Sequence, residues 1–322
     1  MAVIPGHRCQ VLIICTEPVR VDRPFVIGWA ACGLTFWPVR KIERRLKACS
    51  CQKRAKTMTP QKLLTYLPRD LVEPITRDVA QATAWQMLGP DKHVHEILTA
   101  RVLEWVFLRW GCALQKPVDE ADSQGHDLVC LTLAAVLHRH GFCDDALTRS
   151  ALDAVDRLNR RVVLSDAFER NSTAIKALLG SLPTPLARRP PLARHVTFWR
   201  EGDVASVQVG EWFYAIRVHA ILGNHEAPVV ELYDFVSRQP PVAEDLRACK
   251  AKGQPSADGV PRVDRHAVYG LRDMPDRAGQ FCLIASGMPA PSVDHLQPST
   301  GLFGVSDPFT FLEDMRQAFG HG

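Results

Sequence analysis

No apolar run in this sequence approaches the length a bilayer crossing needs; the longest, LVCLTLAAVL at 128–137, stops at ten residues and predicts a buried helix. The sequence also lacks GxSxG, a phosphate-binding Walker loop, a dinucleotide fingerprint and the HExxH spacing of metalloproteases. These absences lean the reading away from an enzyme, and no cofactor is expected. Basic charge is scarce outside one end. Residues 1–57 hold 11 Lys+Arg and 3 Asp+Glu, leaving 28 basic and 32 acidic residues in the rest, a net of −4. A nucleic-acid partner normally needs a basic surface, so it is not expected here. A patch of Arg188, Arg189, Arg194 and Arg200 is the place one would form.

Sustained cysteine spacing is missing too. Five of the ten cysteines lie in the first 51 residues, and Cys112, Cys130, Cys143, Cys249 and Cys282 are scattered over the remainder. That is no disulfide framework for a chain of 322 residues, and it predicts a reducing, cytoplasmic setting. Residues 1–57 show neither the 3.6- nor the 2-residue period, and they fit neither a secretory nor a mitochondrial leader. The orderly MTPQKLLTYLPRDLVEPI that follows suggests that translation begins at Met58. CSC at 49–51 has no partner ligands at metal spacing.

What is present divides the chain into a helical domain at 58–182, a Pro/Arg linker at 183–195 and a strand-bearing domain at 196–322, an α+β architecture. In 91–110 the spacing puts Val94, Ile97, Leu98, Val102, Trp105 and Leu108 on one helical face, with Asp91 as N-cap and Gly111 as the stop. A buried helix is expected at 127–140, ended by Gly141. Asp144 and Asp145 cap the next, with Leu147, Ala151, Val155, Leu158 and Val162 facing inward, and a last helix covers 165–180. The expectation is a bundle of five or six helices whose tryptophans, Trp85, Trp105 and Trp110, are core.

The histidines invite a metal reading. His126-Asp127, with His95 upstream, invites comparison with HD-type metal phosphohydrolases, but the pair begins a helix rather than ending one. Asp127 then reads as a helix-start acid, and His138 and His140 as last-turn residues. A metal-dependent hydrolase in the helical domain, or a nucleic-acid or regulatory adaptor, remains the alternative function. SLPTPLARRPPLAR at 181–194 is too rich in proline for a helix interior or central strand, and reads as a stiff connector.

Beyond it, Val204, Ser206 and Gln208 alternate with Ala205, Val207 and Val209. After Gly210-Glu211, Trp212, Tyr214, Ile216, Val218 and Ala220 share one face of a strand, and Phe213, Ala215, Arg217 and His219 the other. A third strand at 229–236 sets Val230 and Leu232 against Val229 and Tyr233. Three strands cannot cover both faces of a sheet, so RHAVYGL, QFCLIAS and STGLFGVS are expected to add more, giving a small antiparallel sheet, SH3-like or an open barrel. Residues 239–261 read as a surface excursion. FTFLEDMRQAFG closes the pattern as a helix with Phe309, Leu312, Met315 and Phe319 on one face.

Gly202-Asp203-Val204, then Tyr214, Arg217 and Val218, then Leu232-Tyr233-Asp234 resemble the immunity-26 family of bacterial polymorphic toxin systems. The resemblance covers about 35 residues clearly and implies a non-catalytic protein that binds and neutralises a cognate toxin. Aromatic residues and arginine on a sheet face are the usual anchors of protein contacts. Trp199, Asp203, Trp212, Tyr214, Arg217, Tyr233 and Asp234 are therefore the candidate partner-binding residues. The bland alternative makes Asp203 and Asp234 turn residues and Tyr214 and Tyr233 half-buried sheet aromatics.

Overall fold

The computed structural model describes residues 57–89, 94–115, 123–192, 195–255, 259–298 and 303–321. Apart from Thr57, the segment 1–57 lies outside them, as do Asp91 with its expected capping role, CSC at 49–51 and Arg194. Residues Arg54–Gly322 form one compact unit of mixed α+β structure.

Seven helices come first among the described residues: α1 (Pro60–Leu64), α2 (Arg69–Gln86), α3 (His95–Gln115), α4 (Ser123–Arg139), α5 (Asp145–Arg160), α6 (Asp166–Arg170) and α7 (Ser172–Leu179). The starts of α1 and α5 are written in short polar side chains. Thr59 accepts from the Lys62 N–H at 3.2 Å and Asp144 from that of Leu147 at 2.8 Å, each occupying an amide that the first helical turn leaves unpaired. α4 is the hub: every residue from Asp127 to His138 is buried, which is why its sequence shows no polar face.

Five expectations for the helices are corrected. α3 runs through Gly111 to Gln115, since a lone glycine costs a helix only about 1 kcal/mol and tertiary packing overrides it. Its buried stripe is Leu98, Val102, Val106, Arg109 and Trp110, while Val94 and Ile97 are exposed. Val162 lies past the end of α5 at a φ of 53° and is exposed, as is Trp85. The expected helix at 165–180 is two, broken at Asn171, whose Nδ2 donates to the Ala167 carbonyl at 2.6 Å.

The strands are β1 (Val204–Val209), β2 (Trp212–Leu222), β3 (Ala227–Ser237), β4 (Gln254–Pro255), β5 (Pro261–Arg262), β6 (Arg265–Val268), β7 (Phe281–Ala285) and β8 (Gly304–Ser306). The helix α8 (Ala243–Leu246) follows β3, and α9 (Pro308–Ala318) follows β8. Six strands make one open sheet in the order β7-β1-β2-β3-β6-β8, and β4 and β5 pair separately. The three added strands fall in the expected segments, but β8 runs parallel to β6, so the sheet is mixed rather than all antiparallel.

Alternation decides which face each side chain covers. Tyr214, Ile216, Val218, Val230 and Leu232 pack against Phe311, Leu312 and Met315 of α9. The opposite face is covered by α8 after β3: Leu246 is buried with Val204, Ala215 and Tyr233, so this part of the excursion is not bare surface. α9 also reaches the helices. Its Phe309 belongs to the helical core and stacks on Trp105 of α3 at 5.2 Å.

A buried polar seam joins the helices to the sheet. Arg109 of α3 donates to both oxygens of Asp276 at 2.6 and 2.7 Å, and to Gln280 Oε1 at 3.3 Å. Gln280 in turn donates to the Leu108 carbonyl at 2.9 Å. Asp276 also accepts the backbone N–H groups of Ala278, Gln280 and Phe281. Asp78 of α2 receives the Trp110 indole N–H at 3.1 Å and faces Arg77 and Arg109, each at 3.4 Å.

Candidate functional site

The seven candidate residues separate into three settings. Trp199 is buried core, edge-on to Phe281 at 6.4 Å, and offers no contact surface. Asp203 is buried in the turn before β1, where it accepts from the Arg200 N–H at 2.8 Å and the Ser286 hydroxyl at 2.7 Å. Both have structural work at those positions. The turn is tight: Gly202 has a φ of 83°, and a Cβ there would stand 3.2 Å from the Cα of Gly287.

Trp212, Tyr214 and Asp234 are gathered where β2 begins and β3 ends. The half-buried Trp212 ring stacks on His321 at 4.4 Å and carries the Arg238 guanidinium at 4.9 Å. Arg238 is exposed and faces Glu211 at 3.4 Å. Tyr214 is buried beneath: its hydroxyl lies 2.7 Å from His321 Nδ1, and its ring 5.1 Å from Phe319. Burial raises the Tyr214 pKa, so the phenol stays protonated. A second aromatic ring is capped in the same manner. Lys252 Nζ sits 4.5 Å from the centre of the Phe319 ring and donates to Asp234 at 2.8 Å. Two aromatic rings thus each hold a cation, and each cation is paired with an acid. Cation–π contacts of this exposed kind contribute about 0.5–1 kcal/mol each.

Arg316 fixes the chain's last turn here by donating to the His321 carbonyl from Nε and Nη2, at 3.3 and 3.1 Å. A cleft of about 370 Å³ opens beside the patch, between α3 and the β1–β2 turn, lined by Trp212, Tyr214, His321 and Cys112 among others. Burial pushes the Cys112 thiol up to about 11, which favours the protonated thiol.

Arg217 and Tyr233 lie on the other face of the sheet. Arg217 donates to the Met288 carbonyl at 3.2 Å and stands in register with Glu231, which pairs in turn with Arg265 on β6. Glu231 is buried with no hydrogen bond to either oxygen, and the Tyr233 hydroxyl has none either. Burial raises the pKa of both, only partly opposed at Glu231 by Arg265 and Arg217.

The residues of the metal reading have other side-chain and backbone partners. Asp127 is buried, and Arg157 donates to both its oxygens at 2.7–3.0 Å. His126 Nε2 lies 3.1 Å from the Leu114 carbonyl, and His95 stacks on Phe142 in a different cleft. Among the described residues no group of three His, Cys, Asp or Glu side chains stands where it could hold a metal ion. Cys112, Cys130, Cys143 and Cys249 are free thiols, and no helix among the described residues is long and apolar enough to cross a membrane.

Arg238, Lys252, Phe319 and His321 were missing from the sequence-based candidates. Arg238 and Lys252 lie in segments with no periodic pattern, and His321 follows the last helix. Phe319 was legible as an apolar position of α9, but nothing marked its exposed edge. No protein-family model, curated protein or solved structure matches this chain.

Proposed function

We propose that this protein acts by binding another protein through the patch around Trp212. The observation that carries the reading is the half-buried Trp212 held between His321 and Arg238 beside an open cleft. Tryptophan and arginine dominate the energetics of protein interfaces, and a ring already fixed by its neighbours loses little freedom on binding. The two acid–cation pairs form a polar rim around it. In this reading the strand-bearing part is an SH3-like module, and the bundle of helices before it is its support. The narrower form of the proposal makes the partner a toxin. It rests on the resemblance of residues 202–204, of Tyr214, Arg217 and Val218, and of residues 232–234 to the immunity-26 family.

The test is affinity capture from the source cells with the full chain and with Trp212→Ala. One stoichiometric protein retained at high salt, and weakened by about 2 kcal/mol or more in the variant, is the expected result. Equal capture by both chains, or no stoichiometric partner, would overturn the reading. Rescue of cells from the captured protein's toxicity decides the narrower form.

A further inference from the structure

The Pro-rich segment after α7 packs against the helices. His138 Nε2 lies 3.1 Å from the Ser181 carbonyl. At the α4–α5 turn Gly141 has a φ of 85°, and a Cβ there would stand 2.7 Å from the Cα of Pro185 and 2.9 Å from the Thr184 carbonyl oxygen. Backbone therefore meets backbone, and prolines fix the φ of the covering strand. The segment is a rigid wall.

Between this wall, the end of α2 and the start of α3 is a cleft of about 590 Å³. Met87, Leu88, Leu98, Phe142 and Leu186 supply its apolar surface. The lining hydroxyl of Thr83 is spent on the Val79 carbonyl at 2.6 Å. Among the described lining residues the ionisable side chains are His95 and Arg189, both basic residues. His95 opens the 21-residue α3, whose N-terminal end carries partial positive charge. A preformed hollow of a few hundred Å³ with apolar walls and a few polar groups is the general form of a small-molecule site.

We propose that this cleft binds a small amphipathic carboxylate, an alkyl or aryl acid. Its apolar body lies along Leu98, Phe142 and Leu186, and its carboxylate is held by Arg189 at the exposed rim. Arginine suits that role because its fork matches the two carboxylate oxygens. The site shares no residue with the Trp212 patch, and it stands or falls separately from the function proposed there.

The test is calorimetric titration of the full chain with decanoate, against decanol as the uncharged match. Decanoate is expected to bind one to one, and decanol about tenfold more weakly, the scale of one charge-assisted contact. Arg189→Gln should bring decanoate down to the decanol level. Ala187→Trp, at an exposed lining position, should fill the cleft and abolish binding of both. Thermal unfolding of each variant checks that the fold persists. Equal binding of acid and alcohol, an Ala187→Trp variant that still binds, or no saturable heat with the wild-type chain would each overturn the proposal.

Discussion

Asp276 and Glu231 are carboxylates hidden to almost the same degree, with side chains 3% and 2% exposed. Asp276 lies in the seam between helices and sheet, where it accepts two guanidinium and three backbone N–H groups. Glu231 lies mid-strand on β3, 3.8 Å from the Arg265 Nε, and accepts none. Loss of water raises the carboxyl pKa in both places. In the seam Arg109 and the backbone donors more than offset it, and the pKa of Asp276 falls; on the strand they do not, and that of Glu231 rises. Burial does not decide whether a carboxylate stabilises this fold; the donors around it do. Asp78 sharpens the point. It faces the same Arg109 at 3.4 Å instead of taking its N–H groups, and burial leaves its pKa raised.

The largest break in this comparison is Arg109→Ala. It strands Asp276 without its cation and leaves Asp78 with Arg77 alone for a cation, and should cost about 3–5 kcal/mol in chemical denaturation. Asp276→Asn keeps the shape and one acceptor but loses the charge-assisted bonds, for about 2–3 kcal/mol at neutral pH. Its cost should depend on acidity. A carboxyl with a lowered folded pKa contributes above its ordinary value of 3.8, and that contribution is lost as pH falls through the folded pKa. The gap between wild type and Asp276→Asn should therefore close in acid.

Glu231→Gln should do the opposite and least. A raised folded pKa means that the native state is favoured below the ordinary value of 4.5, and the advantage is lost as pH rises through the folded pKa. The variant should match wild type in acid and equal or exceed it by about 1 kcal/mol at neutral pH, read from urea midpoints across the pH range. A Glu231→Gln variant that is strongly destabilised at neutral pH would show that the strand carboxylate is charged and well held, and the contrast with Asp276 would fail.

The strands were legible because alternation survives in sequence. Val230 and Leu232 face α9 as their spacing required, with Tyr233 on the other side. The start of α5 was legible because Asp144 caps it locally. The seam was not, since Arg109 and Asp276 are separated by 167 positions and each is an ordinary residue in its own segment. One signal did exist: Arg109 interrupts the apolar stripe that runs through Leu98, Val102 and Val106, and a charge in such a stripe needs a distant partner. Glu231 gave the same sign on β3, between Val229 and Tyr233 on the face that Leu246 helps to close. Of the patch, Trp212 and Tyr214 were visible as strand aromatics, while their partners came from segments without a pattern.

The wedge of α9 has a consequence for inheritance. Its Phe309 is seated on Trp105 while its Phe311 and Leu312 roof the sheet, so neither half of the chain carries a complete interior by itself. Cut at the prolines, the strand-bearing piece would travel with Asp276 lacking its guanidinium and Phe309 lacking its seat. Shuffling of modules, in a genome or on a bench, would have to move Arg109 and Trp105 along with the sheet they serve.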